Sequence, residues 1–202
     1  EQKNEQPENQ STQSTVLLEN EQLQNYAHDV AERNGKKISL LMQGFQEYEM
    51  DNAQRKTLHE ILMQLVRNSV VHGIEYPSVR RKRNKSETGT IKFILTATEN
   101  GQLNLLAEDD GNGIDFEAIR NKAVAEGRYT VEEVGQLSKK QLLSLMLSDG
   151  FSTAAQNTED AGKGVGMGLI RQSIQKMGGK FNINTAYEQY TRFTICFPPK
   201  QP

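Results

Sequence analysis

Four glycines fall at every second position of GKGVGMG, as Gly162, Gly164, Gly166 and Gly168, and an apolar-striped segment, LIRQSIQKM, follows directly. Glycine at this density is unfavourable inside a helix or a strand, so the run reads as a loop and residues 165–177 as the helix it feeds. Without Cβ atoms, such a loop brings bare backbone N–H groups against phosphate oxygens. The helix N-terminus behind it adds partial positive charge. The run is not a P-loop: GxxxxGK followed by Ser or Thr is absent, and Lys163 sits among the glycines. It is not a dinucleotide fingerprint either, because no strand directly precedes it.

Three further segments stand in the order of a single nucleotide site: QLVRNSVVHG at 64–73, EDDGNGID at 108–115 and DGFSTA at 149–154. In the second, Asp109, Gly111 and Gly113 alternate just past a strand-like run. A carboxylate there accepts a hydrogen bond from an exocyclic amine, and the glycines let a base approach the backbone. Without the other motifs an ordinary Asp-Gly turn would explain the same residues. In the first, Asn68 falls in the middle of a helix, where asparagine is a poor former and needs a reason. Its amide oxygen suits Mg²⁺, which takes few protein ligands and fills its octahedron with phosphate oxygens and water. Gln64 and His72 lie four residues to either side, on the same helix face. Arg67 reads as solvated or ion-paired. His72 is equally readable as a site residue or as a helix C-terminal residue favoured by the dipole. Together the four segments read as an ATP-binding domain.

The rest of the chain sets the frame. Residues 1–15 carry no large apolar side chain and read as a disordered arm or linker, which leaves 16–200 as the domain. A helix is predicted from Val16 to Asn34, ended by Gly35 as a left-handed C′ residue. KKISLLMQG and FQEYEM read as two strands around Gly44. Asp51 or Asn52 caps a helix that carries Leu58, Ile61, Leu62, Leu65, Val66 and Val70 and stops at Gly73. A basic connector, YPSVRRKRNKSETG, leads to TIKFILTAT. Asn100-Gly101 then marks a hairpin turn into QLNLLAED. Residues 115–126 and 138–147 read as helices, 149–164 as a lid-like stretch, and KFNINTAY and TRFTICF as closing strands. These elements interleave without regular βαβ alternation. The predicted fold is therefore an α/β (α+β) two-layer sandwich, with a mixed, largely antiparallel sheet covered by helices on one face.

With 24 basic and 26 acidic residues the charge is nearly balanced, so no field for nucleic acid or anionic membrane is expected. No stretch approaches the roughly 18 apolar residues of a membrane span. The single Cys196, in an alternating strand-like run, reads as a buried structural thiol, which suits a reducing cytoplasm.

LVRNSVVHGIE, DDGNGID, GFSTA and GKGVGMG resemble the N, G1, F and G2 boxes of the gyrase–chaperone–histidine kinase–MutL superfamily. Within it the chain is most similar to the ATP-binding, or catalytic, domain of CheA-type chemotaxis histidine kinases, over roughly residues 23–199. The string His72-Gly-Ile-Glu75, GFSTA and the GVGM core of the glycine run carry that likeness. The resemblance implies a Bergerat-type ATP-binding fold in which Asn68 holds Mg²⁺, His72 sits near the phosphates and Asp109 binds the adenine amine. Gly111 and Gly113 would shape the base pocket. Phe151, Ser152 and Thr153 would belong to a mobile lid. Gly162, Lys163, Gly164, Val165, Gly166, Met167 and Gly168 would wrap the triphosphate, and Thr191 would lie near the base. The chain departs from the pattern at three places. Gln64 stands where the family usually has histidine, Gly168 replaces an acidic residue, and Tyr190 rather than glycine precedes Thr191. Glutamine donates and accepts hydrogen bonds but is no base near neutral pH.

The implied activity is transfer of the γ-phosphoryl group of Mg·ATP to a histidine on a phosphotransfer or dimerisation domain, in cis or in trans, with a response regulator downstream. His28, His59 and His72 lack the setting of an acceptor. A chemotaxis kinase would continue past FPPKQP into a coupling domain, so the chain reads as an excised domain. The expected location is cytoplasmic, with no membrane insertion. A degenerate nucleotide-binding regulatory module and an ATP-operated conformational clamp remain as alternatives. A plain interaction scaffold fits the glycine run poorly.

Overall fold

In the computed structural model the described residues are 8–46, 48, 50–148, 151 and 166–199. Helix α1 (Glu8–Arg33) buries Leu23, Ala27, Val30 and Ala31, a stripe at helical spacing. It begins at Glu8, so residues 8–15 continue the helix where an arm was expected. It ends as expected. Gly35 is left-handed at φ 62°, and its N–H and that of Lys36 bond back to the Glu32 and Ala31 carbonyls, both at 2.9 Å.

Strand β1 (Lys37–Gln43) follows, and the second strand expected at FQEYEM does not form among its described residues. Gly44 turns the chain out of the sheet at φ 84°, where a Cβ would lie 2.0 Å from the Leu95 carbonyl oxygen. Phe45 then drops into the core, and the chain reaches the capping box of α2, where Asp51 and Gln54 bond each other's backbone. Helix α2 (Asn52–Asn68) buries Leu58, Ile61, Leu62, Leu65 and Val66. A π-helical turn extends it over Ser69–Gly73.

The basic connector holds a short helix, α3 (Pro77–Lys82), with Pro77 in its first turn. Strands β2 (Thr88–Ala97) and β3 (Leu103–Asp109) form the hairpin expected at Asn100-Gly101. Helices α4 (Phe116–Ala125), α5 (Val131–Gly135) and α6 (Lys139–Met146) come next; α5 was not anticipated. Helix α7 (Gly166–Lys176) leads to β4 (Lys180–Ala186) and β5 (Tyr190–Phe197). The sheet order is β1-β2-β3-β5-β4, parallel between β1 and β2 and antiparallel elsewhere. This is the predicted two-layer α/β sandwich.

Alternation along the strands fixes which face is dry. Ile91, Phe93, Leu95, Leu105, Ala107, Phe193, Ile195 and Phe197 are buried beneath α1, α2 and α7. Cys196 falls between Ile195 and Phe197 and is therefore on the other face, half-buried rather than buried as expected. A second cluster joins Ile119, Ala123, Val134, Leu142 and Phe151 across α4–α6. Among the described residues no helix is long and apolar enough to cross a membrane.

Near the end of the π-turn lies a buried ionic cluster. Arg80, 1 % exposed, donates to Glu75 at 2.9 Å, to the Asp110 carboxylate at 3.0 Å and to the Ser86 carbonyl at 2.5 Å. Lys85 and Arg83 reach the other Glu75 oxygen at 2.9 and 3.1 Å. Burial opposes ionisation of Glu75, but bonds from Lys85, its own backbone N–H and Arg83 outweigh that and hold its pKa below the usual carboxylate range. Replacing Arg80 with Met leaves Glu75 and Asp110 without their buried partner. We expect Arg80→Met to cost roughly 3–5 kcal/mol in denaturant unfolding, the range for breaking a buried ion pair by removing one side. A loss within about 0.5 kcal/mol, the usual range for surface changes, would show that the cluster is not structural.

Candidate nucleotide site

Three elements converge on one side of the sheet. The α2–π-turn segment brings Gln64, Asn68, Ser69 and Gly73. The end of β3 and the loop after it bring Asp109, Gly111 and Gly113. The first turn of α7 brings Met167 and Gly168.

Asp109 is at the centre. It is 5 % exposed, accepts a hydrogen bond from Ser69 Oγ at 2.8 Å and another from the Gly111 N–H at 3.1 Å. Thr191, also buried, is its cross-strand partner on β5, so two polar side chains occupy the dry face side by side. Burial pushes the Asp109 carboxyl up to about 6; Asp110 adds to the rise, while Ser69, Gly111 and Lys85 oppose it. Asp109 is thus a largely ionised, poorly solvated acceptor at neutral pH.

The loop that carries it is clasped on both sides. Asn112 N–H donates to the Gly73 carbonyl at 2.7 Å, and Glu188 N–H to the Asn112 carbonyl at 2.6 Å. Lys85 holds the Gly111 carbonyl at 2.7 Å, and the Thr90 N–H holds Asp110 Oδ1 at 2.8 Å. The glycines serve this clasp. A Cβ on Gly111 would lie 2.3 Å from the Gly73 oxygen, and one on Gly113, at φ 67°, 2.2 Å from the Ala186 oxygen. They admit neighbouring backbone. Gly73 ends the helical segment, as expected. Its hydrogen faces Asp109, where a Cβ would sit 2.9 Å from Oδ1.

Asn68 and the α7 entry meet as the motif order predicts. The Asn68 amide nitrogen donates to the Met167 sulfur at 3.1 Å, and the amide oxygen is an acceptor. Among the described residues no three His, Cys, Asp or Glu side chains form a metal cluster. A hard cation here would depend on that single amide oxygen and on phosphate oxygens, a donor set that suits Mg²⁺. Gln64 lies one turn before Asn68, and its Oε1 is buried without a hydrogen-bond partner. The π-turn leaves His72 with an exposed side chain rather than on a continuous α-helical face. Desolvation by the protein around it nonetheless lowers its pKa, and Lys36 and Arg67 add to the effect, so it is neutral at pH 7.

Phe151 is not a free lid residue. It is buried in the α4–α6 cluster, with Arg128 and Lys122 over its ring at 5.3 and 5.7 Å. Ser152, Thr153, Gly162, Lys163, Gly164 and Val165 lie outside the described residues. Sequence reasoning missed Ser69, Glu75, Arg80 and Lys85. The spacing of Glu75 and Arg80 across Pro77, a helix start flanked by opposite charges, was the available clue.

Asp109 gives a stability signature. Its pKa is about 6 in the fold and about 3.9 in an unfolded chain. Between these values the folded state binds the extra proton, so this group's contribution to stability falls as pH rises from about 4 to about 6 and is flat above. Ionised Asp109 therefore costs on the order of 2–3 kcal/mol at neutral pH. We expect ligand-free Asp109→Asn to be at least as stable as the parent at pH 7.5 and to lose that advantage at pH 4. Thermal melts at the two pH values check this; a variant destabilised more at pH 7.5 than at pH 4 would contradict it.

The comparisons with known proteins follow the same lines. Residues 53–201 match the family described as histidine kinase-, DNA gyrase B- and HSP90-like ATPase. A chemotaxis protein CheA of Borreliella burgdorferi is 38% identical over 171 residues, 84% of this chain and 19% of that protein. The CheA of Bacillus subtilis is 35% identical over 164 residues, 81% of this chain and 24% of that protein. The chain thus spans about a fifth to a quarter of the length of these relatives. In fold it is similar to the mycobacterial sensor histidine kinase MprB, with a TM-score of 0.51 at 15% identity over 91% of this chain and 97% of that one. The chain belongs to the histidine kinase-, DNA gyrase B- and HSP90-like ATPase family, and its ATP-binding domain is of the CheA histidine kinase type.

Proposed function

We propose that the domain binds Mg·ATP and transfers the γ-phosphoryl group to a histidine of a separate acceptor domain. The observation that carries this reading is the buried Asp109 carboxylate, clasped between the α2 end and β5 and within one motif order of Asn68 and Met167. The carboxylate accepts the adenine amine, and Thr191 stands beside it. The Asn68 oxygen would hold Mg²⁺, which supplies charge neutralisation on the phosphates. The run from Gly162 through Lys163, Gly164, Val165, Gly166 and Met167 to Gly168 supplies N–H donors to the triphosphate, and neutral His72 a further polar contact. Phosphoryl transfer asks the protein for positioning and charge stabilisation and little covalent chemistry. The bond from the γ-phosphorus to its bridging oxygen breaks, a P–N bond to the acceptor imidazole forms, the imidazole's proton passes to solvent, and ADP leaves. A response regulator then takes the phosphoryl group, in a cytoplasmic relay.

Gln64 favours a second reading, a nucleotide-binding regulatory module. Its carboxamide cannot accept the proton that the acceptor imidazole gives up. Glu60 lies one turn earlier but is exposed. Incubation with labelled ATP and a histidine phosphotransfer domain separates the two. Label on the acceptor supports the kinase, and binding without transfer supports the module.

Three variants sharpen the test. Asp109→Asn removes a charged acceptor worth about 1.5–3 kcal/mol, so ATP and ADP affinity should both fall roughly tenfold or more. Unchanged ADP affinity by calorimetry would remove Asp109 from the site. Asn68→Ala should abolish metal-dependent ATP binding and transfer while metal-free nucleotide binding survives better. Equal loss in both conditions would argue against a cation at Asn68. Gln64→His should speed transfer with little change in ATP affinity, an effect confined to the transition state. No gain in a variant that binds ATP normally would show that Gln64 does not limit the step.

A further inference from the structure

The π-turn that ends α2 depends on a side chain from a distant part of the chain. In an uninterrupted α-helix the carbonyls of Val70 and Val71 would accept the N–H groups of Ile74 and Glu75. Here the Ile74 N–H reaches back to the Ser69 carbonyl at 2.7 Å, the bond of a π-turn, and the chain leaves the helix at Ile74 in an extended conformation. Two carbonyls at a packed helix end are left open, and a buried carbonyl needs a donor. Lys36 supplies it. Its Nζ donates to the Val70 oxygen at 2.7 Å and to the Val71 oxygen at 2.8 Å. The ammonium also lies 5.5 Å from the Tyr76 ring centroid. Burial lowers its pKa to about 8 against the opposing attraction of Glu75, as befits a cation drawn out of solvent to fill a structural place.

The turn that Lys36 holds is the turn on which the site depends. It sets Ser69 Oγ 2.8 Å from Asp109 and offers the Gly73 carbonyl to Asn112 at 2.7 Å. We propose that Lys36 is a positioning residue for the nucleotide site: by bridging the two carbonyls it holds the π-turn open, and so keeps Ser69 against Asp109 and Gly73 against the 110–113 loop. The inference rests on the reading of Asp109 as the adenine acceptor. It differs from the ordinary benefit of a cation near a helix C-terminus, which would stabilise the helix without acting on Asp109.

Two variants and three readouts test it, in the whole chain and with ADP in the absence of metal as the probe. Lys36→Met removes the donor and keeps the stem; Lys36→Arg keeps a cation that can donate to two carbonyls. In ligand-free protein, NMR titration of the Asp109 carboxyl reports the Ser69 bond, which normally lowers its pKa. Lys36→Met should raise the Asp109 pKa, speed hydrogen exchange at the Ile74 N–H and weaken ADP binding about fivefold or more. Lys36→Arg should restore all three towards the parent. Rescue by Arg, together with the Asp109 shift, would not accompany a general loss of stability. The proposal is overturned if Lys36→Met leaves the Asp109 titration and ADP affinity at parental values, or if Lys36→Arg behaves like Lys36→Met. Asp109→Asn, measured alongside, tells two failures apart. If it loses ADP while Lys36→Met does not, the positioning role falls. If neither folded variant loses ADP, the adenine reading falls and this proposal with it.

Discussion

The Arg80 guanidinium, buried between Glu75 and Asp110, joins the parts of the molecule that have to meet. Glu75 lies just past the π-turn, Arg80 on α3, and Asp110 in the loop that leaves β3. A single planar cation with donors in several directions fixes the spacing of all three. With that spacing set, the Asn112 N–H finds the Gly73 carbonyl, and Gly111 packs where no Cβ would fit. Asp109 is then held between Ser69 and the Gly111 N–H and cannot turn away from the dry face of the sheet.

This arrangement is unfavourable for the ligand-free protein. An ionised carboxylate with two donors, out of water, raises the free energy of the fold, and a raised pKa is the mark of it. The surrounding ion pairs, the Lys36 bridge and three closely packed glycines offset that cost. Such local conflict, supported by the rest of the structure, is what a binding site requires of a fold.

Much of this was legible in the residues. The Asn100-Gly101 hairpin, the Gly35 stop and the inward stripe of α2 each follow from local rules, and each agrees with the fold. The misses share one cause, that tertiary partners were invisible. FQEYEM alternates like a strand, but Gly44 and the core pocket for Phe45 carry it out of the sheet. A run of arginines and lysines normally marks a solvated connector, and the one local sign that Arg80 goes inside is its spacing from Glu75 across Pro77. The π-turn has no signature in its own five residues, because its open carbonyls are satisfied by Lys36. The glycines of the DDGNG segment were recognised as necessary, but not the backbone on the π-turn and at the end of β4 that packs against them. The resemblance implied a lid role for Phe151, and its packing partners on α4–α6 had no local sign.

The central claim is that a buried, ionised Asp109 recognises the donor face of adenine. Calorimetric comparison of ADP with inosine diphosphate tests it most directly. The two share ribose and phosphates and differ at the 6-position, where an amine donor becomes a carbonyl acceptor, and at N1, which gains a proton. The account predicts that inosine diphosphate binds at least tenfold more weakly, because its oxygen would face a carboxylate in a dry pocket with no proton between them. Equal affinity for the two nucleotides at pH 7.5 would contradict it.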